Sequence, residues 1–207
     1  MSIWFWFSVI GEIAILPLYV LSLEHQKLSD KFGDTKGKIL GDILGIVSGW
    51  GFFVFLIGIW VTPQPRFTIP FPLEFSFTIP VIELEIPLIH MATSLPLILV
   101  VLLIALTGVS EMGLKVAETH RAAEIIDSGI YSHIRHPQYV GAFLAHLALS
   151  ILFSSFYSLL ITPFIGGYLY FLVWKEEKEL LKEFGSTYEA YQSRVPKFFP
   201  ITRKRKI

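Results

Sequence analysis

Residues 129–141 read GIYSHIRHPQYVG, and residues 175–200 read KEEKELLKEFGSTYEAYQSRVPKFFP. Between them, residues 142–174 are almost entirely apolar. The arrangement predicts an antiparallel pair of membrane helices with a polar strip at the same end of each. Histidine, arginine, tyrosine and paired glutamates are costly at the edge of a membrane hairpin unless they meet a partner or a cavity. The two strips therefore point to a polar ligand held between them.

The rest of the chain agrees with a membrane protein. Of its 207 residues 53% are hydrophobic and only 16% charged, with a mean hydropathy of +0.60. Soluble domains carry roughly 25% charged residues. The spacing of the apolar runs predicts one membrane domain over 1–207. The chain has no cysteine, which excludes disulfides, a cysteine zinc site and a thiolate nucleophile. A formal net charge of zero gives no global pull on nucleic acid, so no nucleic-acid partner is expected. No cleavable signal peptide is expected, because no basic region precedes the first apolar run.

A helix needs about 20 apolar residues to cross the hydrocarbon. Five stretches are read as spans: 3–23, 39–61, 95–112, 139–153 and 157–174. The fold class expected is all-α, with five transmembrane helices and a cytoplasmic C-terminal helical tail. The last two spans are joined by a turn at Ser154 and Ser155. Pro17, Pro96 and Pro163 are placed to kink or start their helices. Sixteen of the seventeen Lys and Arg residues fall in 24–38, 114–136 and the tail from Lys175; Arg66 is the exception. The positive-inside rule puts that side in the cytoplasm and the N-terminus outside. The outer loop, 62–93, repeats FTIP at 67–70 and 77–80 among many prolines. Extended strands or a hairpin at the interface are expected there, not a helix.

Three polar residues lie within the spans. Glu12 is either part of a proton, cation or head-group path or the partner in an interhelical hydrogen bond. Asp42 has the same choice, or caps a helix near the interface. His146 shares a helical face with Tyr139 and either lines a cavity or packs in the core.

In the first strip, Gly129 permits a tight turn, with Asp127 and Ser128 before it. Pro137 suits the first turn of a helix, where no amide donor is needed. That leaves Arg135 and His136 at the helix's positive end, where free amides bind carboxylate or phosphate. Tyr139 and Gly141 follow. A membrane-interface collar is the plain alternative for this cluster. In the second strip, the hairpin returns Glu176 and Glu177 to the depth of Arg135 and His136. The helix continues through Leu180, Leu181 and Phe184 to a cap at Gly185. Tyr188 and Tyr191 share a face of the next helix, which Pro196 ends. Such a site suits a polar cofactor beside a lipid-like molecule. No Walker loop, GxGxxG or HExxH occurs. His133 and His136 are separated by a break before Pro137, so no metal is expected.

RHPQYVG, followed after one apolar hairpin by EE-x₇-FG-x₂-Y-x₂-Y-x₃-VP-x₃-P, resembles the isoprenylcysteine carboxyl methyltransferase family, grouped with the membrane phospholipid methyltransferases. The resemblance covers about residues 127–200. It implies an integral membrane enzyme using S-adenosyl-L-methionine, held by the part of the chain from 114 to 200. It implies that Gly129, Ile130 and Tyr131 offer backbone to the cofactor. His136 and Tyr139, with Pro137, would contact it, and Glu176 and Glu177 would bind its polar groups. Arg135 and Glu177 are the residues expected at the reacting centre, with Arg135 orienting charge. A lipidic or prenylated substrate, small molecule or protein C-terminus, would enter from the bilayer among membrane lipids. Two positions depart from relatives: Leu172–Trp174 are apolar where arginine precedes the pair, and Ala123 stands where a histidine is common. A phospholipid amine N-methyltransferase is the second reading, although such enzymes tend to carry NPxYxG. Membrane sterol-type reductases using NADPH share a similar hairpin and an RHxxY block, but Glu176, Glu177 and Tyr188 argue against them. A scaffold or transporter is disfavoured by a site at the interface and by the lack of an internal repeat.

Overall fold

The computed structural model describes residues 2–72, 75–80, 84–113 and 124–199, and they are mostly helical. Helix α1 spans Ile3–Leu23, α2 His25–Phe32 and α3 Asp34–Val61. Strands β1 (Ser76–Ile79) and β2 (Leu84–Pro87) precede α4, Leu88–Met112. After a 3₁₀ turn at Gly129–Ser132 come α5 (Pro137–Leu152), α6 (Phe156–Leu160), α7 (Thr162–Phe184) and α8 (Ser186–Arg194). The basic residues Lys115, Arg121 and Arg203–Lys206, and the departure at Ala123, lie outside the described residues.

Among the described residues, α1, α3 and α4 are long and apolar enough to cross a membrane. Helix α5 is apolar but has 16 residues. The surface confirms what surrounds these helices. Leu99, Leu103 and Leu106 of α4 are 61–68% exposed, while Ser94 and Gly108 of the same helix are buried. Leucine turned outward and small or polar residues turned inward is the pattern of helices solvated by hydrocarbon. The chain is a membrane protein.

Small residues also set the closest helix contact. Helix α1 packs along α3, with Ser8 against Gly58. A Cβ at Gly58 would overlap Ser8 Oγ, so the two backbones approach only because that side chain is absent. Helix α4 packs along α5.

The loop after α3 forms the expected hairpin. Strands β1 and β2 pair antiparallel, with Phe77 opposite Ile86. The start of the loop is tied to the end of α5. Phe67 N–H donates to Ser154 O at 3.1 Å, and Phe156 N–H to Pro65 O at 3.2 Å. Arg66 Nη1 donates to Phe153 O at 2.7 Å and Ser155 Oγ at 3.0 Å. His90 accepts Ile69 N–H on Nε2 at 2.9 Å, so its Nδ1–H donates to Ser154 Oγ at 2.8 Å. Arg66→Ala is expected to cost about 1–2 kcal/mol, the worth of hydrogen bonds from one charged group. A thermal melt in detergent checks this; an unchanged midpoint would refute the latch.

The turn at Ser154 and Ser155 is present, with Ser154 at φ 54°. The apolar stretch beyond it is not one helix as expected. Helix α6 stops at Leu160, and α7 starts afresh with Pro163 in its first turn. Proline has no N–H to donate to the preceding turn, which favours a helix start at Pro163, whereas α1 and α4 run through Pro17 and Pro96. Helix α7 then continues without a break from the apolar stretch into the charged one, and Gly185 caps it at φ 51°.

The polar residues of the spans resolve differently. His146 is fully buried and acts as packing: Trp60 Nε1–H donates to its Nδ1 at 3.3 Å, and its Nε2–H reaches Ser158 O at 3.1 Å. Asp42 is no cap, because α3 begins two turns earlier at Asp34. Glu12 is 1% exposed, and neither carboxylate oxygen has a hydrogen-bond partner among the described residues. Of its two readings, the interhelical hydrogen bond does not form among the described residues.

Candidate functional site

Helix α5 starts at Pro137, and His136 just before it is non-helical, at φ −126° and ψ 60°. Helix α7 runs antiparallel to α5 and brings Glu176 and Glu177 level with that start. The tail closes the third side. Arg135 N–H donates to Pro196 O at 3.0 Å, and His136 N–H to Lys197 O at 3.2 Å. The first strip is thus laid against the end of the second.

Glu177 is the knot of this arrangement. It is 7% exposed. Its Oε1 accepts Arg135 Nε at 2.9 Å, Arg135 Nη2 at 2.7 Å and His136 Nε2 at 3.1 Å. Its Oε2 pairs with Lys197 Nζ at 2.7 Å. Arg135 Nη1 also donates to Gln192 O at 3.1 Å and to Val195 O. Burial pushes the Glu177 carboxyl up. Hydrogen bonds from His136, Lys197 and Arg135 and the charge at His136 outweigh it and hold the group at about 2. A carboxylate has about four acceptor positions, and these are in use.

Glu176 differs from its neighbour. It lines a cavity, and its buried Oε2 makes no hydrogen bond among the described residues, with His136 Nδ1 3.7 Å away. Tyr131, Tyr188, Tyr191, Gln138 and Leu180 line the same cavity. Its enclosed part is small, 70 Å³, and Met112 and Glu124, which bracket residues 114–123, bound it. Burial pushes the hydroxyls of Tyr131, Tyr188 and Tyr191 up; at Tyr188 the charges of Glu177 and Glu176 add to it. All three stay neutral O–H groups. Tyr191 donates to Tyr131 O at 2.7 Å, tying α8 to the 3₁₀ turn.

That turn is built on Gly129, at φ 49°. The Glu111 carboxylate at the end of α4 sits where a Gly129 Cβ would be and accepts Ile130 N–H at 3.0 and 3.2 Å. Ile130 O accepts His133 N–H and Ile134 N–H, and Tyr131 N–H donates to Ser128 O. The Ile130 amide is engaged by Glu111 and the Tyr131 carbonyl by Tyr191, and the Tyr131 side chain lines the cavity.

The structure brings Arg135, His136, Glu177, Glu176 and Tyr131 together. Pro137 is buried at the first turn of α5. Tyr139 lies one cavity over: its hydroxyl meets Tyr19 OH, with Glu176 beside it. Glu111 lies outside the two strips, and Gln138, though inside RHPQYVG, takes no role from the sequence there, since its place among the cavities follows from helix packing.

Two further cavities adjoin the first. One, of 330 Å³, is lined almost wholly by apolar side chains of α3, α4 and α5, among them Trp50, Phe53, Ile104 and Ala145. The other, of 130 Å³, lies between Tyr19, Tyr139 and Tyr168.

Residues 88–182 match the model of the isoprenylcysteine carboxyl methyltransferase family. The chain is also similar to protein-S-isoprenylcysteine O-methyltransferase of Schizosaccharomyces pombe (strain 972 / ATCC 24843). The two are 35% identical over 78 residues, 37% of this chain and 33% of that protein. The chain thus spans about a third of the length of the curated relative it matches. No solved structure matches the chain.

Proposed function

Because residues 88–182 match the model of the isoprenylcysteine carboxyl methyltransferase family, we propose that the protein transfers the methyl of S-adenosyl-L-methionine to the carboxylate of a prenylated cysteine. The observation that carries this reading is Glu176 Oε2, which makes no hydrogen bond among the described residues and faces His136 Nδ1 only at 3.7 Å, in a tyrosine-lined cavity beside a large apolar one. A buried acceptor without a donor suits a ligand bearing ammonium or hydroxyl groups. A lipid-like chain suits the apolar cavity. The residues fit both halves of the reaction.

The cofactor supplies an electrophilic methyl on a positively charged sulfur. Glu176 offers its free oxygen to the cofactor's polar groups, and Tyr131 and Tyr188 add neutral donors. Glu177 does not meet the cofactor in this reading; with Arg135, His136 and Lys197 it fixes the walls. The apolar cavity holds the prenyl chain and keeps water from the acceptor. A carboxylate carries no proton to remove, so alignment rather than acid–base chemistry sets the rate.

The topology proposed has five spans, α1, α3, α4, α5 and the α6–α7 segment. The N-terminus lies outside and the site on the cytoplasmic side. The distribution of Lys and Arg supports it. The methyl acceptor is then a prenylated protein C-terminus or a smaller prenylated cysteine presented from the bilayer.

The test is calorimetry on the purified full chain. S-adenosylhomocysteine is expected to bind and NADPH is not. Glu176→Ala is expected to weaken S-adenosylhomocysteine about tenfold or more, the worth of one charge-assisted contact. Absence of S-adenosylhomocysteine binding in the wild type would overturn the methyltransferase reading.

A further inference from the structure

Among the described residues, Gln138 alone lines all three cavities: the one with Glu176, the apolar one and the one between the tyrosines. It sits in the first turn of α5, half-buried, between Pro137 and Tyr139. Its Nε2 donates to Met112 Sδ at 3.2 Å. Tyr131 OH ends on the same thioether at 3.9 Å. A thioether sulfur is a weak acceptor. The carboxamide is therefore a polar group at the meeting point of a polar and an apolar cavity, its donor turned to a weak thioether acceptor and to the neighbouring Tyr131 hydroxyl.

A carboxylate arriving at that junction needs a donor. The described linings of the three cavities contain no Lys or Arg. The nearest cations are committed elsewhere: Arg135 and Lys197 to Glu177, Lys175 to Glu24 and Glu179. Tyr139 is paired with Tyr19, and Tyr191 with Tyr131 O.

We propose that Gln138 is a catalytic residue that holds the nucleophilic carboxylate of the methyl acceptor, donating Nε2–H to one oxygen in place of the Met112 contact. This rests on the methyltransferase reading above. The other oxygen's lone pair forms the O–CH₃ bond as the S–CH₃ bond breaks. That bonding pair stays on sulfur, leaving a neutral thioether and an ester, and no proton moves. A neutral amide suits the step better than a cation. An Arg or Lys would stabilise the carboxylate charge, which the reaction consumes, more in the ground state than in the transition state.

The experiment compares N-acetyl-S-farnesylcysteine with its methyl ester, binding to the full chain in saturating S-adenosylhomocysteine. The wild type is expected to prefer the free acid about tenfold, the scale of one hydrogen bond to a charged group. Gln138→Met, similar in size but without a donor, is expected to bring the ratio near one with ester affinity unchanged. Gln138→Glu is expected to favour the ester, since two carboxylates repel. The affinity for S-adenosylhomocysteine itself is expected to stay within about twofold in Gln138→Met, because the contact removed belongs to the acceptor. An acid preference that survives in Gln138→Met overturns the proposal, as does a wild type that binds both compounds equally. Failure of the wild type to bind S-adenosylhomocysteine is a different result and strikes the methyltransferase reading instead.

Discussion

Glu177→Gln is expected to destabilise the protein by roughly 3 kcal/mol at neutral pH and to abolish cofactor binding. The wild-type carboxyl lies at about 2 against an ordinary 4.5, and each unit of such a shift corresponds to about 1.4 kcal/mol. A group held below its unfolded value stabilises the fold while it is charged. That contribution is complete above about 4.5 and drains away as pH falls through about 2. Removing one partner of a buried pair costs about 3–5 kcal/mol, because the other charge is left unpaired. Here Arg135 and Lys197 would both be stranded. Melting temperatures in detergent from pH 7 down to pH 3 check the sign. The wild type should lose stability between pH 4.5 and 3, while Glu177→Gln, already lower, should show less of that fall. A double-mutant cycle of Arg135→Ala with Glu177→Ala should give a coupling above about 1 kcal/mol. Independent effects in that cycle would remove Glu177 from its place as the knot.

Gly129→Ala is the second large effect, and it arises by a different route. An alanine at φ 49° costs about 1 kcal/mol in backbone conformation alone. Its methyl would also overlap the Glu111 carboxylate that holds Ile130 N–H. Displacing that carboxylate leaves an amide without its acceptor, a further loss of about 1–3 kcal/mol. Tyr131, two residues on, lines the cavity beside Glu176, so cofactor affinity should fall with stability. Gly185→Ala is the matched control. Its φ is 51°, and an added Cβ meets nothing within 4 Å. The melting temperature should drop distinctly further in Gly129→Ala than in Gly185→Ala. Equal drops would show that backbone conformation explains both and that Glu111 yields freely.

The parts of the fold that sequence made legible are those the solvent dictates. Apolar runs long enough for the hydrocarbon gave α1, α3 and α4, and the charged continuation KEEKELLKEF gave the rest of α7. The FTIP repeats with their prolines gave the β1–β2 hairpin. The break at Leu160–Thr162 was less legible. It depends on Pro163 acting together with distant acceptors: Gln64 Oε1 takes Tyr157 N–H at 3.0 Å, across ninety residues of chain. The division of labour between Glu176 and Glu177 was not legible at all. Adjacent residues on a helix point about 100° apart, and only the position of α5 and the tail decides which one meets Arg135. Gln138 was hidden for the same reason, since three cavities converge on it only after α3, α4 and α5 have packed.

The tail that closes the site also sets the order in which the molecule becomes competent. Pro196 and Lys197 supply backbone acceptors to Arg135 and His136, and Lys197 supplies the last cation on Glu177. These residues leave the ribosome after every apolar segment discussed here. The helices can therefore be inserted and packed in the bilayer while the cavity beside Glu176 still lacks its third wall. Maturation of the site is in this sense a final, aqueous event. It docks α8 and the segment after it onto helices that the membrane has already placed.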